Sequence, residues 1–217
     1  MIITVYATKS STKTSIAVST AVYLANKGKD VLLADLDTQA SASAWLEFRA
    51  DDENLMQLTC IQKYGKTVAK DLKEFDKRYE IVVSDCGGKN DTSGRSALLV
   101  SDIVIIPVFP SSLSLLTLEA SLNACIEAKL LNEKLKVIVV LTGCSANHLV
   151  KDTKESRDLI VDMLSEYEDV ILAENFITTR KIWMDIVSKG QGITESGHGQ
   201  ATGQFQLLME EIINGDY

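Results

Sequence analysis

Residues 8 to 15 read Thr8-Lys9-Ser10-Ser11-Thr12-Lys13-Thr14-Ser15, a hydroxyl-rich loop between the apolar run Ile2 to Ala7 and a helical pattern that starts at Thr14. A short loop leading from a strand into a helix N-terminus turns backbone N–H groups toward an anion, and phosphate oxygens suit that geometry. In such a layout Lys13 reaches the terminal phosphates, and the Thr14 hydroxyl binds Mg²⁺. Lys9, Ser10, Ser11, Thr12 and Ser15 form the rest of the cradle. Taken alone, the same residues also fit a polar loop with an ordinary helix cap. Acids after two later apolar runs favour the first reading. Asp35 and Asp37 follow Val31 to Ala34, and Asp85 ends Ile81-Val82-Val83-Ser84-Asp85. Mg²⁺ takes one or two carboxylates together with phosphate and water. Asp85 is placed as a magnesium ligand acting through water and Asp37 as the group that orients an attacking water, whereas Asp35 reads as a turn or helix cap.

These side chains need a scaffold that brings strand ends together. Buried strands are expected at 2–7, 31–34, 81–85, 103–108 and 137–141, with further strands at 58–62 and 170–176. Helical patterns occupy 14–26, 41–49, 67–77, 113–131, 151–164, 180–188 and 203–213. Continuous apolar strands separated by helices predict a doubly wound, mostly parallel α/β sheet with helices on both faces. Ligands of such a sheet bind beyond the carboxyl ends of its strands. The length of 217 residues predicts one domain over 1–217. The glycine-rich stretch Gly190 to Gly203 reads as a flexible loop.

Composition narrows the function classes. With 22 Lys+Arg against 30 Asp+Glu, the net charge of -8 does not favour coating nucleic acid or anionic membrane. The four cysteines are scattered without a CxxC pair, and with two histidines they make a poor zinc set. They read as reduced thiols of a cytoplasmic protein. No apolar stretch is long enough to span a bilayer. His148 and His198 fall in predicted loops and read as solvent-facing, and Trp45 and Trp183 read as packing residues. Two basic groups are candidates for a DNA-binding patch: Lys151, Lys154, Arg157, Arg180, Lys181 and Lys189; and Lys66, Lys70, Lys73, Lys77 and Arg78. Interleaved acids make both read equally as solvated helix faces. The last helix carries Phe205, Leu208, Met209, Ile212 and Ile213 on one side and Glu210 and Glu211 on the other. That pattern fits packing on the body rather than a membrane surface.

The segment Val31-Leu32-Leu33-Ala34-Asp35-Leu36-Asp37-Thr38-Gln39 resembles the apolar strand and DxDPQ motif of the ParA/MinD group of P-loop ATPases, with Thr38 in the proline position. Ile81 to Asp85 resembles that family's Walker B strand, Asp102 to Val108 with Pro110-Ser111 its proline-bearing turn, and Ile177 to Arg180 with Gly190 and Glu195 its C-terminal pattern. The resemblance covers roughly residues 1 to 195 and is nearest to small ParA-type proteins that partition plasmids or position cargo. It implies a P-loop NTPase fold, ATP and Mg²⁺ as ligands, a homodimer, a small centromere-binding or adaptor partner, and nonspecific DNA contact. A membrane role is not implied.

The family's loop KGGxGK[ST] is altered here: Thr8 stands at the signature lysine, Lys9, Ser10 and Thr12 stand at the glycines, and Thr142 stands where an adenine-side Asn is expected. If two or three of these positions needed left-handed backbone, the loss would be about 2–6 kcal/mol. That is a large part of the roughly 8 kcal/mol that holds a micromolar ligand. The altered loop keeps a second reading open, a non-enzymatic interaction protein with the fold but no nucleotide cycle. A ligase or synthetase of the same superfamily ranks third.

Overall fold

Val, Ile and Leu runs with no polar interruption can only be buried on both faces, and they form the centre of one parallel sheet. The computed structural model describes residues 1–9, 12–88, 91–145 and 152–215. Its strands are β1 (Ile2–Val5), β2 (Val31–Asp35), β3 (Thr59–Gln62), β4 (Ile81–Asp85), β5 (Ile103–Val108), β6 (Lys136–Cys144), β7 (Val170–Leu172) and β8 (Ile177–Thr178). Its helices are α1 (Lys13–Asn26), α2 (Ser41–Ala50), α3 (Val68–Asp76), α4 (Thr92–Leu98), α5 (Ser112–Lys129), α6 (Asp152–Leu164), α7 (Ile182–Ser188) and α8 (Gly199–Asn214). The sheet runs β3-β2-β4-β1-β5-β6-β7, with β8 also pairing β6, and every pairing is parallel. The chain winds outward from β1 to β3, returns through β4, and leaves on the other side of β1 through β5. The winding therefore reverses beside β1, where a crevice opens beyond the strand ends.

Strand residues alternate between two cores. Ile3, Val5, Leu33, Val83, Ile105 and Ile138 pack under α1, α7 and α8. Ile2, Leu32, Val82, Val104, Val137 and Val139 pack under α3, α4, α5 and α6. This is the doubly wound architecture expected from the sequence. Helix α1 is buried almost throughout, and its inward hydroxyls are paired: Ser19 Oγ accepts from Ile193 N at 3.1 Å, and Ser15 Oγ donates to the Trp183 carbonyl at 3.3 Å.

Three elements depart from the sequence reading. Helix α4 was not anticipated; Asp91 caps it, accepting from Ser93 N and Gly94 N at 2.9 Å. The strand expected within 170–176 is β7, but the short β8 that follows it, Ile177–Thr178, was not anticipated. The stretch from Gly190 to Gly203 is not a flexible loop but contains a 3₁₀ turn, Ile193–Glu195, and the first turn of α8. Gly190, at φ +63°, lies so close to α2 that a Cβ there would stand 2.2 Å from Arg49 N. Arg49 fixes this turn. Its Nη1 and Nη2 donate to the Glu195 carboxylate at 2.8 Å, Nη1 also donates to the Gly190 carbonyl at 2.8 Å, and Nε donates to the Met56 carbonyl at 2.7 Å. The last helix packs on the body as expected, with Phe205, Leu208, Met209 and Ile212 buried.

Candidate functional site

The parallel register sets the acids in a row. Asp35 lies level with Asp85, and Asp85 with Val5, so two carboxylates stand at the strand tips next to the loop that leaves β1. Asp35 is the cap that its sequence suggests: its oxygens accept from Ser43 N at 2.8 Å, Ser43 Oγ at 2.7 Å and Asp37 N at 3.2 Å. Those bonds aim the Asp37 turn. Asp37, half-buried, accepts from Gln39 N at 2.9 Å and lies against Gly87, where a Cβ would stand 3.4 Å from its Oδ1.

Asp85 is fully buried, and neither carboxylate oxygen has a hydrogen-bond partner among the described residues. Burial pushes its acid up to about 7, with the Asp35 and Asp37 charges adding to the effect. The Thr14 hydroxyl and the Lys13 ammonium act the other way without overcoming it; the hydroxyl lies near but completes no hydrogen bond of ordinary geometry. A buried carboxylate with orphan oxygens, a hydroxyl and a second acid nearby is a donor set that fits a hard divalent cation.

The loop itself is anchored from the far side. Thr8 N donates to Ser121 Oγ at 3.0 Å, and Thr8 Oγ1 donates to the Thr117 carbonyl at 2.9 Å, which ties the loop to α5. Lys9 is exposed and Lys13 buried. Ser10 and Ser11 lie outside the described residues. The Ser15 hydroxyl faces α7 instead of the loop, so only its backbone is available to a phosphate.

Two cavities flank this rim. A polar one of about 510 Å³ is lined by Asp37, Gln39, Tyr64, Gly87, Asp91 and Ser93, among others. Sequence reading missed Asp91, although Asp-Thr-Ser ahead of a helix is an N-cap signal. It also accepts from Gly87 N at 3.1 Å, so it joins the end of β4 to α4. The other cavity, about 400 Å³, is mostly apolar and opens between Thr12, the end of β6 and α7. Burial pushes Cys60 and Cys125 up to about 12 and Cys86 well above its ordinary value, which disfavours nucleophilic chemistry at these thiols.

Residues 3–177 match the family model described as the CobQ/CobB/MinD/ParA nucleotide binding domain. The chain belongs to this family. Among known proteins it is 27% identical over 130 residues to the maintenance of carboxysome distribution protein A of Halothiobacillus neapolitanus, covering 59% of each chain. It is 28% identical over 101 residues to protein ParA of Rhizobium radiobacter, covering 46% of this chain and 45% of that one. The matches thus span about half the length of these curated relatives. Among solved structures, apo McdA of Cyanothece superposes with a TM-score of 0.77 at 13% identity, over 98% of both chains. Likeness at that identity speaks to the fold.

Within this nucleotide-binding family the altered loop has a simple geometry. Thr12 sits at φ -108°, and positive φ among the described non-glycine residues occurs only at Ala40 and Asp169. The left-handed strain considered for a glycine-free loop therefore does not arise at Thr8, Lys9 or Thr12. Thr12 Oγ1 lies 3.4 Å from Thr142 Oγ1, so two residues that differ from the family pattern meet at the cavity mouth.

Of the basic groups, Arg157 donates to the Ala173 carbonyl and Arg180 to Thr178 Oγ1. Lys77 pairs with Glu74. Lys66, Lys70, Lys73, Arg78, Lys181 and Lys189 are exposed; Lys151 and the Lys154 side chain lie outside what is described. His198 is not simply solvent-facing, because its Nδ1 accepts from Ala201 N and caps α8; His148 lies outside the described residues. Trp45 and Trp183 are buried packing residues, as expected. Among the described residues no helix is long and apolar enough to cross a membrane.

Proposed function

We propose that this protein is a ParA-like partition or cargo-positioning protein that binds Mg-ATP at the β1–α1 loop. The observation that carries the reading is Asp85, a buried carboxylate with two unsatisfied oxygens beside Thr14 and Lys13. Family membership supports nucleotide as the ligand. In this reading Lys13 and the loop N–H groups, including those of Lys9 to Thr12, hold the phosphates. Thr14 and Asp85 would hold Mg²⁺, whose charge would offset that developing on the phosphoryl oxygens, and Asp37 orients the attacking water. Catalysis is then positioning plus electrostatics. The active form is a homodimer, and its partner is a small centromere-binding or adaptor protein.

Titration of Mg-ATP by calorimetry tests the reading. Wild type is expected to give a saturable heat that Lys13→Ala abolishes, with phosphate release following the same pattern. No heat from either protein overturns it. One set of contacts favours the alternative, a non-enzymatic interaction protein: Ser15 turns its hydroxyl onto Trp183, and Thr12 bridges to Thr142. Saturable binding without Lys13-dependent turnover selects that reading.

A further inference from the structure

The polar cavity lined by Asp37 and Asp91 carries an inference that rests on the nucleotide reading above and adds a residue to that site. The last ladder bond at the tip of β4 runs from Cys86 N to the Val5 carbonyl, at 3.2 Å. The next amide, Gly87 N, leaves the sheet and donates to Asp91 Oδ2 at 3.1 Å. The same oxygen accepts from Gly94 N at 2.9 Å, and Oδ1 accepts from Ser93 N at 2.9 Å. One carboxylate therefore caps α4 and also reaches back over the loop to the second residue after Asp85. Capping alone does not need that reach, because an N-cap side chain serves the amides ahead of it.

Three loops meet at Gly87-Gly88. A Cβ on Gly87 would stand 3.2 Å from Asp91 Oδ2 and 3.4 Å from Asp37 Oδ1. One on Gly88 would stand 3.4 Å from the Thr8 carbonyl. The backbone at 87–88 thus passes between Asp91, the acid of the β2–α2 turn and the start of the β1–α1 loop. Packing this close passes a displacement on to its neighbours. Asp91 spends three of its acceptor sites on backbone N–H groups, which suits it to holding the loop and leaves it little to offer a cation or a water.

We infer that Asp91 is a positioning residue for turnover. By holding Gly87 it fixes the backbone against which Asp37 rests, and so the direction in which that carboxylate meets the attacking water. A misplacement of about 1 Å in such a group can cost about 100-fold in rate. The phosphate contacts assigned to Lys13 and the β1–α1 loop do not use Gly87. The effect of Asp91 therefore belongs in kcat and not in nucleotide affinity.

Two substitutions separate the cap from the hold on Gly87. Serine caps helices about as well as aspartate, but its hydroxyl ends one bond short of the carboxylate oxygens, so Asp91→Ser keeps the cap and releases Gly87. Asparagine also caps and keeps one oxygen at full length, so Asp91→Asn can still accept from Gly87 N. In the full chain with Mg-ATP, Asp91→Ser is expected to lower kcat for phosphate release about tenfold, with ATP affinity by calorimetry within about twofold of wild type. Asp91→Asn is expected to recover most of that loss. Amide exchange followed by NMR without nucleotide gives a second readout. In Asp91→Ser the Gly87 amide should exchange at least about tenfold faster, while the Arg95 amide, bonded to the Asp91 carbonyl, keeps its protection. A wild-type kcat in Asp91→Ser, or an unchanged exchange rate at Gly87, overturns the positioning role. A parallel fall of kcat, ATP affinity and melting temperature overturns it as well, leaving Asp91 a structural cap. So does an Asp91→Asn protein as slow as Asp91→Ser. Absence of Lys13-dependent turnover in the wild type overturns the hydrolytic reading itself, and this inference with it.

Discussion

At the scale of single residues the molecule is dominated by one unfavourable ionisation. Asp85 is held with its acid near 7 by burial, against an ordinary value of 3.8. A raised carboxyl in the folded state means that folding stabilises the protonated form. The sign is therefore that stability falls as pH rises from about the unfolded value through the folded one. In EDTA, Asp85→Asn should unfold at a higher temperature than wild type, with a larger gap at pH 8 than at pH 5. The gap should widen by at most about 3 kcal/mol between the two pH values, because the folded carboxyl titrates about two units above pH 5 and each unit is worth about 1.4 kcal/mol. Paired thermal melts at the two pH values check it, and a gap independent of pH would assign the gain to something other than ionisation. The same substitution should abolish any stabilisation by Mg²⁺ and nucleotide together. Asp85 is visible in the sequence because it closes a nearly apolar strand, but Asp35 closes one too and is a cap, so the pattern alone does not assign a role. Asp91 is not visible: its carboxylate serves backbone amides of a helix too short to carry a visible period.

Elements tell a similar story. The strands announce themselves because Val, Ile and Leu in unbroken runs leave no exposed face. Edge strand β3, half-exposed along its length, is the faintest of them. The long helices α1 and α5 are readable, whereas α4, seven residues with Gly94 inside, is not. The glycine-rich stretch after α7 misleads for a physical reason. Glycine density suggests freedom, but here Gly190 lets backbone approach α2, and the order comes from Arg49, 146 positions distant in the chain from Glu195. Spacing within a sequence cannot reveal such a pair.

The Arg49–Glu195 fork joins the helix that follows Asp37 to the turn that follows α7. Arg49→Met should cost about 3 kcal/mol in urea unfolding, because it strands a largely buried carboxylate. Replacing Arg49 and Glu195 together by apolar residues should recover much of that loss. If the single and double variants were equally unstable, the fork would owe its effect to packing alone. Gly190→Ala should be comparably disruptive, at about 2 kcal/mol or more, since it combines a left-handed backbone with a contact that no Cβ makes.

For the whole molecule, charge decides what can approach. A chain with net charge -8 whose exposed lysines are scattered over the surface, on α3 but also at Lys27, Lys29, Lys134, Lys136, Lys181 and Lys189, has little clustered charge with which to displace counterions from DNA. Fluorescence anisotropy with a random duplex in Mg-ATP should give affinities near the weak end of nonspecific binding, about 0.1 mM at physiological salt. Lys70→Glu with Lys73→Glu should remove what binding there is; tight binding insensitive to that change would place the contact elsewhere. Sedimentation should register one copy of the chain without nucleotide and two with Mg-ATP, in keeping with the proposed cycle. The two tryptophans supply a built-in optical gauge for all of this. Trp45 is sealed away with its Nε1 on the Gln191 carbonyl, while Trp183 borders the apolar cavity and touches Phe205. Although both belong to one core, their indoles therefore have different surroundings. In a Trp45→Phe protein the remaining indole becomes a single lamp at the cavity wall, and its brightness tracks whatever enters without any label being attached.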